Sequence, residues 1–273
     1  MRILYQSMSN AEHAVNYWKF FKKLLEKVAD PETSVDIVGT KVALVDQYRF
    51  FEFLDTNSVL DNGLMAEKEG YDAIAIGNIL DPGLYELRQM VDIPVLGLCE
   101  TSLLMAHMIG QRFSLIAVNE YFIPRIEENI VRYGLEKRLV SIDTMVSSPP
   151  MLDKAFSDPG MRDNALNEFY EGARNTIKKG AEVVIPAGGR LMAFLAAQEV
   201  YDVDGIVVLN GITTLIKLTE AAVKLKAIMG TFTSRKRLYA KPSTELLGKR
   251  PIEEIFKLYG QAYGLKNLIP KEK

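Results

Sequence analysis

The sequence predicts an α/β fold of two similar lobes, each built on a parallel sheet, with the functional site in the cleft between them. Three observations predict it. Apolar runs of strand length alternate with helical stretches along nearly the whole chain, the pattern of parallel βαβ units. The two halves echo one another. GYDAIAIGN (70–78) and GAEVVIPAGG (180–189) each run glycine, two residues, then an apolar strand ending in small or polar residues. Each is followed, one helix later, by a second apolar strand, IPVLGL in the first half and GIVVLN in the second. Ligands in open α/β sheets bind beyond the carboxyl ends of the strands. The cleft should therefore be flanked by residues 7–10, 78–80, 119–121 and 186–190.

In chain order, residues 2–6 read as a strand, and the spacing of Val15, Trp18, Phe21, Leu24, Leu25 and Val28 predicts a helix over 11–29 that stops at Asp30-Pro31. Strand 34–38 follows, then a short strand near 42–46, a helix near 56–69 and strand 72–77. Phe50, Phe51, Phe53 and Leu54 are expected in the core. A helix over 82–91 leads to strand 93–98 and a helix over about 101–109. The second half gives strand 112–118, a helix from Ile123 to Tyr133 and strand 139–143. The polar, proline-containing segment 147–160 reads as a surface loop or lid. Helix 161–179 ends at Gly180, a residue suited to closing a helix. The stretch 180–190 (GAEVVIPAGGR) with its apolar strand, helix 191–199, strand 205–209 and helix 211–227 complete the pattern. Beyond it, the spacing of Ile252, Ile255, Phe256 and Tyr259 predicts an amphipathic helix within 243–273. The expected domains are 1–111 plus 212–273 for the first lobe and 112–211 for the second.

Composition narrows the function. At 273 residues, 48% hydrophobic and 25% charged, the chain can bury a large core. A net charge of −2 argues against a nucleic-acid partner. The one basic cluster, 234–237 (SRKR), is as well explained by a solvated face or an anion contact. The single cysteine, Cys99, excludes an internal disulfide and a cysteine metal cage, and reads as a small buried hydrophobe. Two distant histidines give no metal site; His107 lies within a helical apolar run. No apolar run is long enough for a membrane span, and no signal sequence opens the chain. A cytoplasmic protein without metal is expected.

MRIL, AIGNILDPGL, DIPVLGLCE, GQRFSLIAVNEYFIPRIEENIVRYGL, GAEVVI, NGITTLIKLTEAAVKL and TSRKRLYAKP occur in that order over residues 1–242. In this respect the chain resembles the aspartate/glutamate/hydantoin racemase superfamily, closest to its hydantoin-racemase branch. The resemblance implies two Rossmann-like lobes (the Asp/Glu racemase fold) and cofactor-free proton transfer at the carbon beside a carbonyl or carboxyl group. Such chemistry needs a base on each face of that carbon. In the family these are two cysteines, one at each of the echoing strand ends. Here the first position is Asn78 and the second falls at Gly188, with room for a one-residue slip that still supplies no thiol. By this likeness the two-thiol mechanism is excluded.

The remaining candidates follow from position. Asn78, with Ile79 beside it, can polarise a carbonyl or carboxylate, or simply satisfy its own turn. Gly188 and Gly189 can form an anion-binding nest with Arg190 beside it. Ser7 and Ser9 follow the first strand, where the family has asparagines that hold substrate. Tyr48 is a potential oxyanion donor, and Asn119 and Tyr121 sit on a loop that closes on substrate in related folds. Asn210 stands where many relatives have aspartate. With no thiols, Glu100 and Asp46 are the expected acid–base groups, although Glu100 also suits a structural role at a helix N-terminus. The expected activity is isomerisation, a lyase or decarboxylase step, or hydrolysis of a small carbonyl or carboxylate compound by a homo-oligomer without a cofactor. The alternatives are an inactive small-acid binding or regulatory protein, and a racemase that uses a carboxylate and water.

Overall fold

The computed structural model describes residues 1–12, 14–43 and 48–242, with Glu254, Lys257 and Leu258. Its first sheet contains β1 (Arg2–Gln6), β2 (Ser34–Val38), β3 (Ala73–Ile76) and β4 (Val95–Gly97), all parallel, in the order β2-β1-β3-β4. Helices α1 (Val15–Val28), α2 (Arg49–Lys68), α3 (Leu84–Met90) and α4 (Leu98–Ile109) connect and follow these strands. The second sheet repeats the plan with β5 (Phe113–Ala117), β6 (Leu139–Thr144), β7 (Val183–Ala187), β8 (Asp202–Val203) and β9 (Ile206–Val208). Its order is β6-β5-β7-β9-β8, with only β8 antiparallel to its neighbour. The helices here are α5 (Ile123–Arg132), α6 (Pro149–Ala155), α7 (Pro159–Lys178), α8 (Gly189–Ala197) and α9 (Gly211–Met229). Helix α9 returns to the first sheet and packs against β3, β4 and α4.

The echo read in the sequence is thus an echo of topology. β1 and β3 stand to the first sheet as β5 and β7 stand to the second, and each pair brackets the point where the strand order reverses. All four are buried along nearly their whole length, as strands covered on both faces must be. Asn78 and Gly188 occupy the same place in the two repeats, eight residues beyond the turn glycines Gly70 and Gly180.

Several boundaries differ from the expected ones for identifiable reasons. Helix α2 begins at Arg49, seven residues before the expected start at 56. Its polarity is inverted there: Phe50 and Phe53 are each 67% exposed, and Phe51 and Leu54 also reach solvent. Glu52, Asp55, Ser58 and Asp61 face inward instead. Each acid has a partner: Glu52 pairs with Arg125, Asp55 accepts from the Thr40 hydroxyl at 3.3 Å, and Asp61 pairs with Lys41 at 3.3 Å. Paired acids can take the inner face of a helix, and a reading by hydrophobic period then selects the wrong side. The expected irregular segment 147–160 holds α6 and the start of α7, each with proline in its first turn, where a missing N–H costs nothing. Helix α4 starts at Leu98, three residues early, and α8 starts at Gly189, two residues early. Strand β8 has no counterpart in the sequence reading. Of the short strand expected near 42–46, Val42 and Ala43 form no strand and the rest lies outside the described residues. The helix expected through Ile252, Ile255, Phe256 and Tyr259 lies outside them as well.

The basic cluster 234–237 is partly a latch, because Arg235 donates to the Arg88 carbonyl at 2.6 Å and to Asp92 at 2.8 Å. Among the described residues no helix is long and apolar enough to cross a membrane. His107 is an exposed residue of α4. Asn210 is a cap: its Oδ1 accepts from the Thr213 N–H at 3.1 Å while its Nδ2 donates to the Met192 carbonyl at 2.8 Å. Asn210→Ala should therefore lower stability by about 1–2 kcal/mol, measurable as a lower urea midpoint at unchanged slope.

Candidate active site

The carboxyl ends of β1, β3, β5 and β7 meet around one cleft of about 510 Å³, a size suited to a small molecule. From the first lobe it receives Ser7, Ser9 and the Gly77-Asn78-Ile79 turn; from the second, Val118-Asn119, Tyr121 and the Ala187–Leu191 stretch. Ser148, Pro149 and Pro150 at the start of α6 close one side. The structure thus brings Ser7, Ser9, Asn78, Ile79, Asn119, Tyr121, Gly188, Gly189 and Arg190 together. Tyr48 is not part of the lining; its ring packs on that of Tyr121, with centroids 5.3 Å apart. Glu100 is also not part of the lining. Its carboxylate accepts both terminal nitrogens of Arg88, one at 2.9 Å, and its N–H donates to Asp81 at 2.8 Å. Asp46 lies outside the described residues.

Each turn in the wall has a local cause. Asn78 Oδ1 accepts from the Leu80 N–H at 2.8 Å, and Asn119 Oδ1 accepts from the Tyr121 N–H at 3.0 Å. These are matching Asx turns in the two lobes. Asp81, in the same loop as Asn78, accepts from the Cys99 and Glu100 N–H groups at 2.9 and 2.8 Å and from the Tyr133 hydroxyl at 2.7 Å. It caps α4, which has no cap of its own. Burial raises its carboxyl to about 6 against the pull of those three donors. Burial also pushes the Cys99 thiol well up, so the one cysteine is a packed, neutral group outside the cleft lining.

Gly77 is required by contact. A Cβ there would sit 1.9 Å from the Tyr5 ring, which lies fully buried beneath it. Gly188 is required by conformation: its φ of +151° admits a side chain only with strain, although a Cβ would meet nothing closer than 3.9 Å. It precedes α8, whose first turn has no side-chain cap. The partial positive charge of those N–H groups therefore faces the cleft beside Arg190.

Tyr17 and the α6 prolines line the cleft and were not among the residues expected there. Tyr17 sits in the first turn of α1, beside but not among the apolar positions that predict that helix. It lines the cleft with its ring stacked on Phe21 at 5.0 Å and the Arg190 guanidinium 5.7 Å from its centroid. Burial raises its phenol to about 12, with the Arg190 charge acting the other way. The usable signal was its place in the first turn of the helix that follows the polar 7–10 loop.

Among the described lining residues Arg190 is the only formally charged side chain, and none is a thiol, an imidazole or a carboxylate. Among the described residues no group of three or more His, Cys, Asp or Glu could hold a metal ion.

Comparison with known proteins gives a consistent result. A family model described as Asp/Glu/Hydantoin racemase matches residues 24–219. The chain is 29% identical over 220 residues to a hydantoin racemase of Pseudomonas sp. (strain NS671), covering 80% of this chain and 83% of that protein. Its fold is similar to that of allantoin racemase from Klebsiella pneumoniae, with a TM-score of 0.74 at 22% identity over 89% of this chain and 94% of that one. The allantoin racemase from Pseudomonas fluorescens gives the same TM-score, 0.74, at 23% identity over 89% and 97% of the two chains.

Proposed function

The chain belongs to the Asp/Glu/hydantoin racemase family, and on that premise we propose that it is an enzyme acting on a small carbonyl or carboxylate compound through oxyanion stabilisation, without a pair of thiols. The cleft lining carries this reading: one cation, an uncapped helix start, hydroxyls and amides converge on a space that no described acidic group enters. A substrate carboxylate fits Arg190 and the N–H groups at the start of α8. Ser7, Ser9 and Asn78 stand across the cleft as donors to a carbonyl oxygen on which charge develops. The family's two-thiol scheme is unsupported here, since the chain holds one cysteine and it is buried away from the lining. Gly188 adds a second reason, because its backbone is set for glycine rather than for a residue that presents a side chain.

Proton transfer in this proposal falls to Asp46, three residues beyond the lining residue Ala43. Glu100 is given a structural role, because Arg88 holds its carboxylate. The reaction classes that fit are isomerisation through an enolate, decarboxylation and hydrolysis; each builds negative charge on an oxygen that the cleft can hold.

Incubation with a panel of 5-substituted hydantoins, amino acids and malonates in D₂O, followed by NMR, tests the reading. Deuterium uptake at the α-carbon, loss of carboxylate or ring opening is expected for at least one compound. Asp46→Asn should abolish that turnover, and Arg190→Gln should weaken substrate use by roughly 10–100-fold. One observation favours a second reading, that of a small-acid binding protein: no thiol, imidazole or carboxylate is among the described lining residues. Thermal stabilisation by panel members with no turnover of any of them would establish it in place of the enzyme.

A further inference from the structure

Asp81 closes the turn that carries Asn78, because its N–H donates to the Asn78 carbonyl at 3.1 Å. Its backbone is left-handed, with a φ of +49°, a conformation held at some cost in free energy. What that conformation delivers is the carboxyl group. It is buried, and each of its oxygens accepts from a backbone N–H at the start of α4, Cys99 at 2.9 Å and Glu100 at 2.8 Å. Gly97 leaves room for it, since a Cβ there would fall 2.5 Å from the Asp81 carboxyl carbon. From the second lobe, Tyr133 at the C-cap of α5 donates its hydroxyl to the same group at 2.7 Å.

This pocket suits a carboxylate and not a neutral side chain. A backbone N–H can only donate, so an asparagine would have to set its NH₂ against one of the two amides. Among the described residues every hydrogen bond to the carboxyl is a donation to it. A proton on it therefore displaces one of those donors or goes unshared. The charges around it divide. Glu100 repels it, although Arg88 of α3 holds the Glu100 carboxylate, and the Cys99 thiol stays neutral. Arg49 and Glu52 of α2 border the same hollow, as do Tyr85 and Glu86 of α3. So do Arg125 and Arg132 of α5, but Arg49 and Arg125 are already paired with Glu128 and Glu52.

We propose that Asp81 is the positioning residue for Asn78, and that its carboxylate has to be charged for the cleft to hold its ligand. The ligand class is that of the proposed function, a small carboxylate or carbonyl compound, and the inference rests on that reading. Protonation releases Tyr133 or an α4 amide, and the Asn78 turn that Asp81 closes is freed with it. Burial outweighs the three donors and brings the group from 3.8 to about 6, so the change falls just below neutral pH. Stability runs the other way. The folded chain holds this proton more tightly than the unfolded chain does. The group's contribution to stability is therefore full below about 3.8 and is lost as the pH rises through about 6. Weaker binding in acid is then not unfolding driven by this group.

The probe 5-methylhydantoin stays neutral through this range, so the pH dependence of its binding belongs to the protein. Its affinity, read by calorimetry from about pH 7.5 to about pH 5, should fall about tenfold, the factor for one group near 6 that must be charged. Tyr133→Phe removes a donor to the charged form, so the midpoint of that profile should move to higher pH. Asp81→Asn should bind the probe weakly at every pH, with no profile left; Tyr133→Phe stands in if this variant does not fold. A flat profile in the parent overturns the proposal, as does a profile that Asp81→Asn keeps or Tyr133→Phe leaves in place. Asp81 would then only cap α4, and the cleft would remain a small-ligand site. If neither malonate nor 5-methylhydantoin binds at any pH, the small-acid reading itself fails and takes the positioning role with it.

Discussion

Arg125→Met is expected to destabilise the protein by about 3–5 kcal/mol, the usual cost of leaving one partner of a buried ion pair behind. Arg125 on α5 meets Glu52 on α2 side-on, with its Nε and Nη2 at 2.9 and 2.8 Å from the two carboxylate oxygens. The side chains are only 13% and 8% exposed. The same guanidinium reaches the Leu80 carbonyl at 3.5 Å, and Asn129, one turn further along α5, donates to that carbonyl at 2.9 Å. The pair thus joins the lobes at the loop that carries Asn78. Methionine keeps most of the volume, so the loss measures the stranded Glu52 carboxylate rather than a cavity. The double variant Glu52→Gln/Arg125→Met should regain most of the stability, since it strands no charge. Urea unfolding of the two variants and the parent checks this. Equal stability of the single and double variants would show that the buried pair is not what holds α5 on this loop.

Gly77→Ala should be nearly as damaging and should strike the site directly. The added methyl would fall 1.9 Å from Tyr5 Cζ and 2.0 Å from its hydroxyl oxygen. Tyr5 cannot withdraw, because it is fully buried and packs edge-on against Phe21 at 4.7 Å. The turn must move into the cleft instead, breaking the Gly77 N–H bond to the Gln6 carbonyl, now 2.8 Å. Overpacking of this kind costs about 1–3 kcal/mol or more, and it displaces Asn78 from its place at the strand end. A lowered melting temperature together with lost malonate binding is expected; a variant that melts and binds like the parent would show that the turn has slack.

The architecture was legible because it is written in patterns that repeat. Buried parallel strands such as 73–76 and 183–187 are continuous apolar runs, and the echo between them located both strand ends of the cleft. Ser7, Asn78, Asn119 and Arg190 could be placed beside one another because each follows one of the four central strands. Two things were not legible. Side-chain pairing inverted α2, since nothing in the local sequence shows that Glu52 has an arginine seventy-three residues away. Tyr17 escaped notice because it falls outside the apolar spacing that predicts α1, and a phenol in a helix looks the same whether its hydroxyl meets packing or a cleft. Glu100 shows the converse: its place after β4 suggested chemistry, and only the geometry of Arg88 shows where its charge is committed.

Helix α6 both walls the cleft, through Pro149 and Pro150, and holds the first turn of α1, through Asp153. These two duties belong to one rigid segment, and they are lost together. Any movement that lifts α6 to widen the mouth also withdraws the acceptor from the Tyr17 N–H and the Asn16 side chain. Cleft wall and helix cap are therefore a single unit, and a substitution that shifts α6 is felt at the first turn of α1 as well as at the mouth.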